Sequence, residues 1–196
     1  KGHIKELTEM SAQEIREIGI RLAFVPEDRL GMGLVSSMGM TDNMMLRSYR
    51  HGHGFFSERK QPRELAETIM KELEVVTPSV EWPVGRMSGG NVQKVLVGRE
   101  ISSSPQVLMV AYPVRGLDIN SSYTIYHLLN EQKKKGSAVI CVGEDLDVLL
   151  ALCDRILVLA DGKISGIVDA RTATKEDVGL LMTNHGYREA DKEAEA

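Results

Sequence analysis

Apolar side chains recur four apart at Leu65, Ile69 and Leu73, the spacing of one helical face. Pro62 suits the first turn of that helix and Thr77-Pro78 ends it. Upstream, Ser11 with Glu14 makes a capping-box pattern ahead of Ile15 and Ile18, and Gly19 can close the short helix. The run 20–25 is dominated by large apolar residues and stops at Pro26, so it reads as a strand, and 27–33 reads as a loop. Between 41 and 76 the pattern is helical and no convincing strand appears. After Ser88 helix and strand alternate, as in parallel βα units. This predicts a helix over about 89–101, a strand over 107–111, a helix over about 121–135 and, after Gly136, a buried apolar strand over 138–142. Leu146, Leu149 and Leu150 mark another short helix. The apolar runs 156–159 and 164–168 flank Asp161-Gly162, a two-residue hairpin signal. Thr174 with Asp177 starts a final helix that turns Val178, Leu181 and Met182 inward. There is no internal repeat.

Composition adds limits. A chain of 196 residues with 42% hydrophobic and 27% charged positions is globular, and a domain of this size buries roughly 70% of the surface its unfolded form exposes. No apolar run approaches the ~20 residues of a membrane helix. Cys141 and Cys153 sit in apolar runs, the habit of reduced thiols in a reducing compartment, which favours the cytoplasm. A net charge of -4 with mixed signs gives no basic stripe, so nucleic acid is not an expected partner. The chain opens on Lys1 without a signal-like pattern and is expected to be part of a longer product. The tail 186–196 is charged and Ala-rich, and reads as solvated.

Candidate chemistry centres on Ser88, which caps a helix beginning Gly89-Gly90. Such a start leaves backbone N–H groups and the positive end of the helix dipole open to a phosphate, and glycines let it approach. The same cap opens ordinary helices, so context decides. Here Asn91, Gln93 and Lys94 continue the motif, and an apolar strand after Pro105 leads to Pro113 and then Gly116-Leu117-Asp118. Two of three other features read as structural, and the third stays open. Asp145 and Asp147, with Glu144 before them, open a helix and complement its dipole. His51-Gly52-His53 lacks further metal ligands nearby and reads as solvent-facing. Met38, Met40, Met44 and Met45 form a cluster that suits either a soft binding surface or core filling.

Met87-Ser88-Gly89-Gly90-Asn91-Val92-Gln93-Lys94 resembles the signature motif of ABC ATPases, in the Asn-containing form of simple-sugar and nucleoside importers. Arg115-Gly116-Leu117-Asp118 resembles the D-loop of that family, and Val25-Pro26-Glu27-Asp28-Arg29 with Gly33-Leu34 resembles the Q-loop region of its second nucleotide-binding half. Asp154-Arg155-Ile156 with Asp161-Gly162 is similar to the closing hairpin, and Val178-Gly179-Leu180-Leu181-Met182 to the nucleoside branch. The resemblance covers about 19–182. The departures are as specific. No G-x-x-x-x-G-K-[ST] phosphate loop is present. Where the family pattern puts a magnesium-holding Asp and a water-polarising Glu stand Ala111 and Tyr112; Glu144 replaces the switch histidine, and Glu27 the Q-loop glutamine.

The resemblance implies an α/β fold: a partial P-loop NTPase core lacking the Walker A strand-loop-helix, with an inserted α-helical subdomain. The implied divisions are 1–32 (partial core with the Q-loop region), 33–87 (helical subdomain), 88–185 (signature helix and remaining core) and the tail 186–196. It implies that Ser88, Gly89, Gly90, Asn91, Gln93, Asp118 and Glu27 serve an ATP site shared with a second nucleotide-binding half. ATP and magnesium would act in the complete protein, with most ligands outside this chain. Separate integral membrane permeases would be partners, at the cytoplasmic face of the cell membrane, and the chain alone would be inactive. Two other readings compete: a non-catalytic interaction module, consistent with Ala111, Tyr112 and Glu144, and a DNA-repair or chromosome-type ATPase. Against the last, only 28–87 lies between Glu27 and Ser88, without the heptads of a long coiled coil.

Overall fold

The computed structural model describes residues 6–48 and 59–183. They fall into two compact units, divided between Ile140 and Cys141.

The first unit begins with α1 (Ala12–Glu17), whose Ser11 and Glu14 close the capping box expected from their spacing. β1 (Leu22–Val25) follows and stops at Pro26. The segment 27–33, expected as plain loop, is instead a π-helical turn over Arg29–Gly33. Asp28 makes the difference: its carboxylate accepts from the N–H groups of Leu30 and Gly31 at 3.3 and 2.8 Å and so caps the start of the turn, which closes with Gly33 N on the Asp28 carbonyl and Leu34 N on the Arg29 carbonyl.

α2 (Met40–Ser48) and α3 (Lys60–Glu72) pack on each other and supply the helical stretch. Pro62, Ala66 and Ile69 make the buried stripe of α3, while Leu65 and Leu73 are only partly covered. Met40 and Met44 are fully buried, so half of the methionine cluster is core. The Asn43 carboxamide holds the entry to α2, accepting from Val35 N at 2.8 Å and donating to the Gly39 carbonyl at 3.0 Å.

α4 (Gly89–Ser102) then crosses this unit, followed by β2 (Val107–Ala111), α5 (Ile119–Lys134) and β3 (Ala138–Val142), whose last two residues are counted with the second unit. The three strands form one sheet in the order β1-β2-β3. β1 and β2 run parallel, Leu22 opposite Val107 and Val25 opposite Val110. Ala23, Val25, Leu108 and Val110 from the strands, Val92, Val95, Leu96 and Val97 from α4 and Ile125 of α5 make the core. α4 packs against β1, α3 and α5. β3 departs from expectation: its apolar run is not buried, with Ile140 and Val142 47% and 44% exposed. It is an edge strand, and among the described residues only β2 pairs with it, so its composition is not matched by cover.

The second unit holds α6 (Leu146–Leu152), the hairpin β4 (Arg155–Ala160) and β5 (Lys163–Asp169), and α7 (Lys175–Met182). Asp161 and Gly162 both have positive φ, 50° and 74°, the turn geometry that their dipeptide predicts. Ile156, Val158, Ala170 and Val178 form its core, joined by leucines of α6 and by Leu181. Leu181 lies over Gly166, where a Cβ would come within 2.9 Å of its Cδ2. Met182, expected to face inward, is exposed: Leu181 already fills the place over Gly166, and Met182 is the last residue of α7. Burial pushes the Cys141 thiol up to about 11, with a smaller contribution from Cys153, so it is not a reactive thiolate.

Candidate functional site

Parallel pairing puts the carboxyl ends of β1 and β2 side by side, and the loops leaving them, 26–33 and 112–118, meet at the first turn of α4. Open α/β sheets place their ligand sites in this position. The Ser88 hydroxyl caps α4 by accepting from Asn91 N at 3.4 Å. The first N–H groups of a helix have no partner within it; with that of Asn91 taken by Ser88, those of Gly89 and Gly90 carry the positive end of the dipole. Asn91 is held on both sides: Nδ2 donates to Ser88 Oγ at 3.0 Å and Oδ1 accepts from Val76 N at 3.0 Å.

The two glycines are not equivalent. A Cβ on Gly90 would lie 2.5 Å from Ser121 Oγ and 3.4 Å from Asp118 Oδ2, so α4 rests directly on the start of α5. A Cβ on Gly89 would meet nothing nearer than 3.8 Å, and the atom at that distance is Arg29 Nη1. Asp118 caps α5, accepting from Ser121 N at 2.9 Å and Ser121 Oγ at 2.6 Å. These bonds, the hydroxyl's first, hold its carboxyl below the usual range.

Gln93 is buried and faces inward. Its Nε2 donates to the Pro113 carbonyl at 2.7 Å while its Oε1 accepts from Arg29 Nε at 2.7 Å. Arg29 also donates through Nη2 to the Arg115 carbonyl at 2.5 Å. Desolvation lowers the Arg29 pKa, opposed by the nearby Glu27 carboxylate. Glu27 itself pairs with the Arg115 guanidinium, which lies 5.6 Å over the Tyr112 ring. Ser88, Gly89, Gly90, Asn91, Gln93, Asp118 and Glu27 are thus all gathered around the two loops and the start of α4. Motif reading missed the roles of Arg29 and Ser121. An arginine directly after two acids in a strand-to-helix loop was the signal for the first, and a hydroxyl one turn after a capping Asp for the second.

The strand end offers little to a cation. Ala111 has no oxygen to give, and Tyr112, at φ 48°, offers a phenol in place of a carboxylate. In the second unit Asp145 caps α6, accepting from Asp147 N at 3.0 Å, and Asp147 pairs with Lys175 at 2.6 Å. No group of three or more His, Cys, Asp and Glu side chains suited to a metal occurs among the described residues; His51 and His53 lie outside them.

No protein-family model matches the chain. It is 38% identical over 83% of its length to the xylose import ATP-binding protein XylG of Moorella thermoacetica, and 40% identical over 80% to the ribose import ATP-binding protein RbsA of Rhodopirellula baltica. With the galactose/methyl galactoside import ATP-binding protein MglA of Escherichia coli it shares 32% identity over 93% of its length. The chain is a homologue of ABC-type sugar-import ATP-binding proteins. It spans about a third of their length: 32%, 31% and 36% of these three. The fold agrees. The dimeric, post-hydrolysis ATP-binding cassette MJ0796, bound to ADP and Pi, matches with a TM-score of 0.68 at 22% identity, over 84% of this chain and 70% of that one. A putative metal-chelate type ABC transporter in an inward-facing conformation matches with 0.66 at 18%, over 83% of this chain and 64% of that one. The architecture is therefore that of a partial ABC ATPase core, with a parallel sheet and helices. Among the described residues no helix is long and apolar enough to cross a membrane.

Proposed function

We propose that this chain is the signature-bearing part of the energy-coupling ATPase subunit of a sugar importer. The observation that carries the reading is the start of α4: a capped helix whose two leading residues lack side chains, set against the joined ends of β1 and β2. Gly89 and Gly90 donate N–H groups to the γ-phosphate of ATP, and Ser88 and Asn91 hold that turn in shape. Gly89 fits such a ligand, since the space beside it is open to 3.8 Å. The phosphate cradle, the magnesium ligands and the water-polarising carboxylate come from a second nucleotide-binding half, because this sequence carries no G-x-x-x-x-G-K-[ST] loop and has Ala111 and Tyr112 where the carboxylates would stand. Hydrolysis at that shared site drives transport through separate permease subunits on the cytoplasmic face of the membrane. Apolar Met32, Val35 and Met38, exposed around the turn and the entry to α2, suit contact with a permease, while Met40 and Met44 are committed to the core.

One observation favours a second reading, a docking module without nucleotide chemistry: the end of β2 is occupied by Tyr112 under Arg115 rather than by carboxylates. Sugar uptake by membranes carrying the full-length protein separates the two. Ser88→Arg should nearly abolish uptake, by placing a long side chain over the phosphate position, whereas Tyr112→Phe should leave it near wild type. The reverse pattern would sink the proposal and give Tyr112 a chemical role of its own.

A further inference from the structure

The start of α4 does not meet the two loops only by packing. Gln93, one turn into the helix, is buried and spends both ends of its carboxamide on them. Its oxygen accepts from Arg29 on the turn after β1, and its nitrogen donates to the carbonyl of Pro113 on the loop after β2. Arg29 closes the figure by donating Nη2 to the carbonyl of Arg115, two residues beyond Pro113. One guanidinium and one carboxamide therefore tie three chain segments far apart in sequence. The third nitrogen, Nη1, lies 3.8 Å from where a Cβ of Gly89 would stand, so the same group sets the wall beside the open glycine. The π-helical turn, held by Asp28, brings Arg29 to this place.

We infer that Arg29, acting through Gln93 and the Arg115 carbonyl, is a positioning residue that sets the α4 N-terminus against the 112–118 loop for phosphate transfer in the shared site. The inference rests on the proposed signature role of Ser88–Asn91. Its chemistry requires the planar fork of arginine. Nε and Nη2 point to two acceptors at once, which a lysine ammonium on a flexible stem cannot reproduce although it keeps the charge. The neutral carboxamide of Gln93 is equally specific, since it must accept from one side and donate to the other. Small misplacements of groups around a reacting phosphate are costly: a shift of about 1 Å can lose about 100-fold in rate. Affinity for ATP should change little, because the phosphate cradle lies on the other half.

The test is steady-state ATPase kinetics of the full-length protein reconstituted with its permease, with the melting temperature of each variant measured alongside. Arg29→Lys should lower kcat by about 10-fold or more while leaving KM for ATP within about twofold. Gln93→Leu should give a similar loss. The double variant should be no worse than the poorer single one, because both substitutions cut the same link. Wild-type kcat in Arg29→Lys, losses that multiply in the double variant, or a fall in melting temperature with kcat per folded molecule unchanged would each overturn the inference. Ser88→Arg in the same assay keeps the two levels apart. An inactive Ser88→Arg beside a fully active Arg29→Lys refutes the positioning role alone, and an active Ser88→Arg refutes the signature site on which it depends.

Discussion

The two ends of α4 treat charge in opposite ways. At its start Ser88 and Gly89 are exposed, side chains are withdrawn, and backbone dipoles are left open to solvent. Near its end Glu100 is buried and completely engaged. It accepts from Phe24 N of β1 at 3.3 Å, from Arg47 Nε of α2 at 3.1 Å and from Arg99 Nη2 at 2.9 Å. Arg99, its pKa lowered by desolvation, donates onward to the Gly33 carbonyl at 2.7 Å. One helix thus couples an end whose leading N–H groups have no partner within it to a satisfied end that pins α2 and the π-helical turn to the sheet. Unpaired polar groups are tolerable only where water or a ligand reaches them; inside, each must find its partner.

The largest test of that contrast is at the buried end. Glu100→Ala removes the anion that both arginines and Phe24 N share, and should cost about 3 to 5 kcal/mol in denaturant unfolding, since the other buried charge is left uncompensated. Arg47→Ala should cost only about 1 kcal/mol, because its side chain is 51% exposed and water replaces much of what is lost. Equal losses from the two would mean that the network is not organised around Glu100.

At the open end the glycines divide by what lies beside them. Gly90→Ala forces a methyl group to 2.5 Å from Ser121 Oγ and should destabilise by about 1 to 3 kcal/mol. Ser121→Ala in the same chain should restore part of that, as it deletes the nearest atom. Gly89→Ala, with nothing closer than 3.8 Å, should stay within about 0.5 kcal/mol of wild type in the same unfolding experiment. Two equally harmful substitutions would erase the distinction between a packed glycine and an open one.

The smallest expected effect is in acid. The hydrogen bonds from Ser121 hold the Asp118 carboxyl below its ordinary value, so the cap on α5 contributes stability above the unfolded pKa, near ~3.9, and loses it as pH falls through the lower folded value. An NMR titration of Asp118 should give a midpoint below ~3.9 that moves upward in Ser121→Ala. An unchanged midpoint would detach the carboxyl from that hydroxyl.

Much of this was legible in the chain. Capping boxes at Ser11 and Thr174, the helix capped by Ser88 and the turn at Asp161-Gly162 depend on residues a few positions apart, and each stands where its spacing predicts. The signature and D-loop-like motifs, and the departures at Ala111, Tyr112 and Glu144, were readable because they are changes of residue type at fixed offsets. The π-helical turn at Arg29–Gly33 escaped a plain loop reading although its Asp28 cap is local, and the other failures depended on neighbours distant in sequence. β3 has the composition of a buried strand, but burial is decided by the layers that face it. Met182 has the period of an inner position, yet Leu181 already fills the contact over Gly166.

By itself, then, the sequence determined the order of the strands and α-helices and the glycine-opened helix start, because propensity, capping and turn chemistry act over a few residues. Only the tertiary structure decided that Gln93 faces inward, that Arg29 is the group it meets, that Gly90 and not Gly89 is packed shut, and that Glu100 gathers Arg47, Arg99 and Phe24 N. Arg47 and Phe24 reach Glu100 across 53 and 76 positions, and Arg29 reaches Gln93 across 64. No local preference encodes these long-range pairings; they exist because parallel pairing of β1 and β2 brings two loops to the start of α4 and packing sets its far end against β1 and α2, where buried donors and acceptors must find one another.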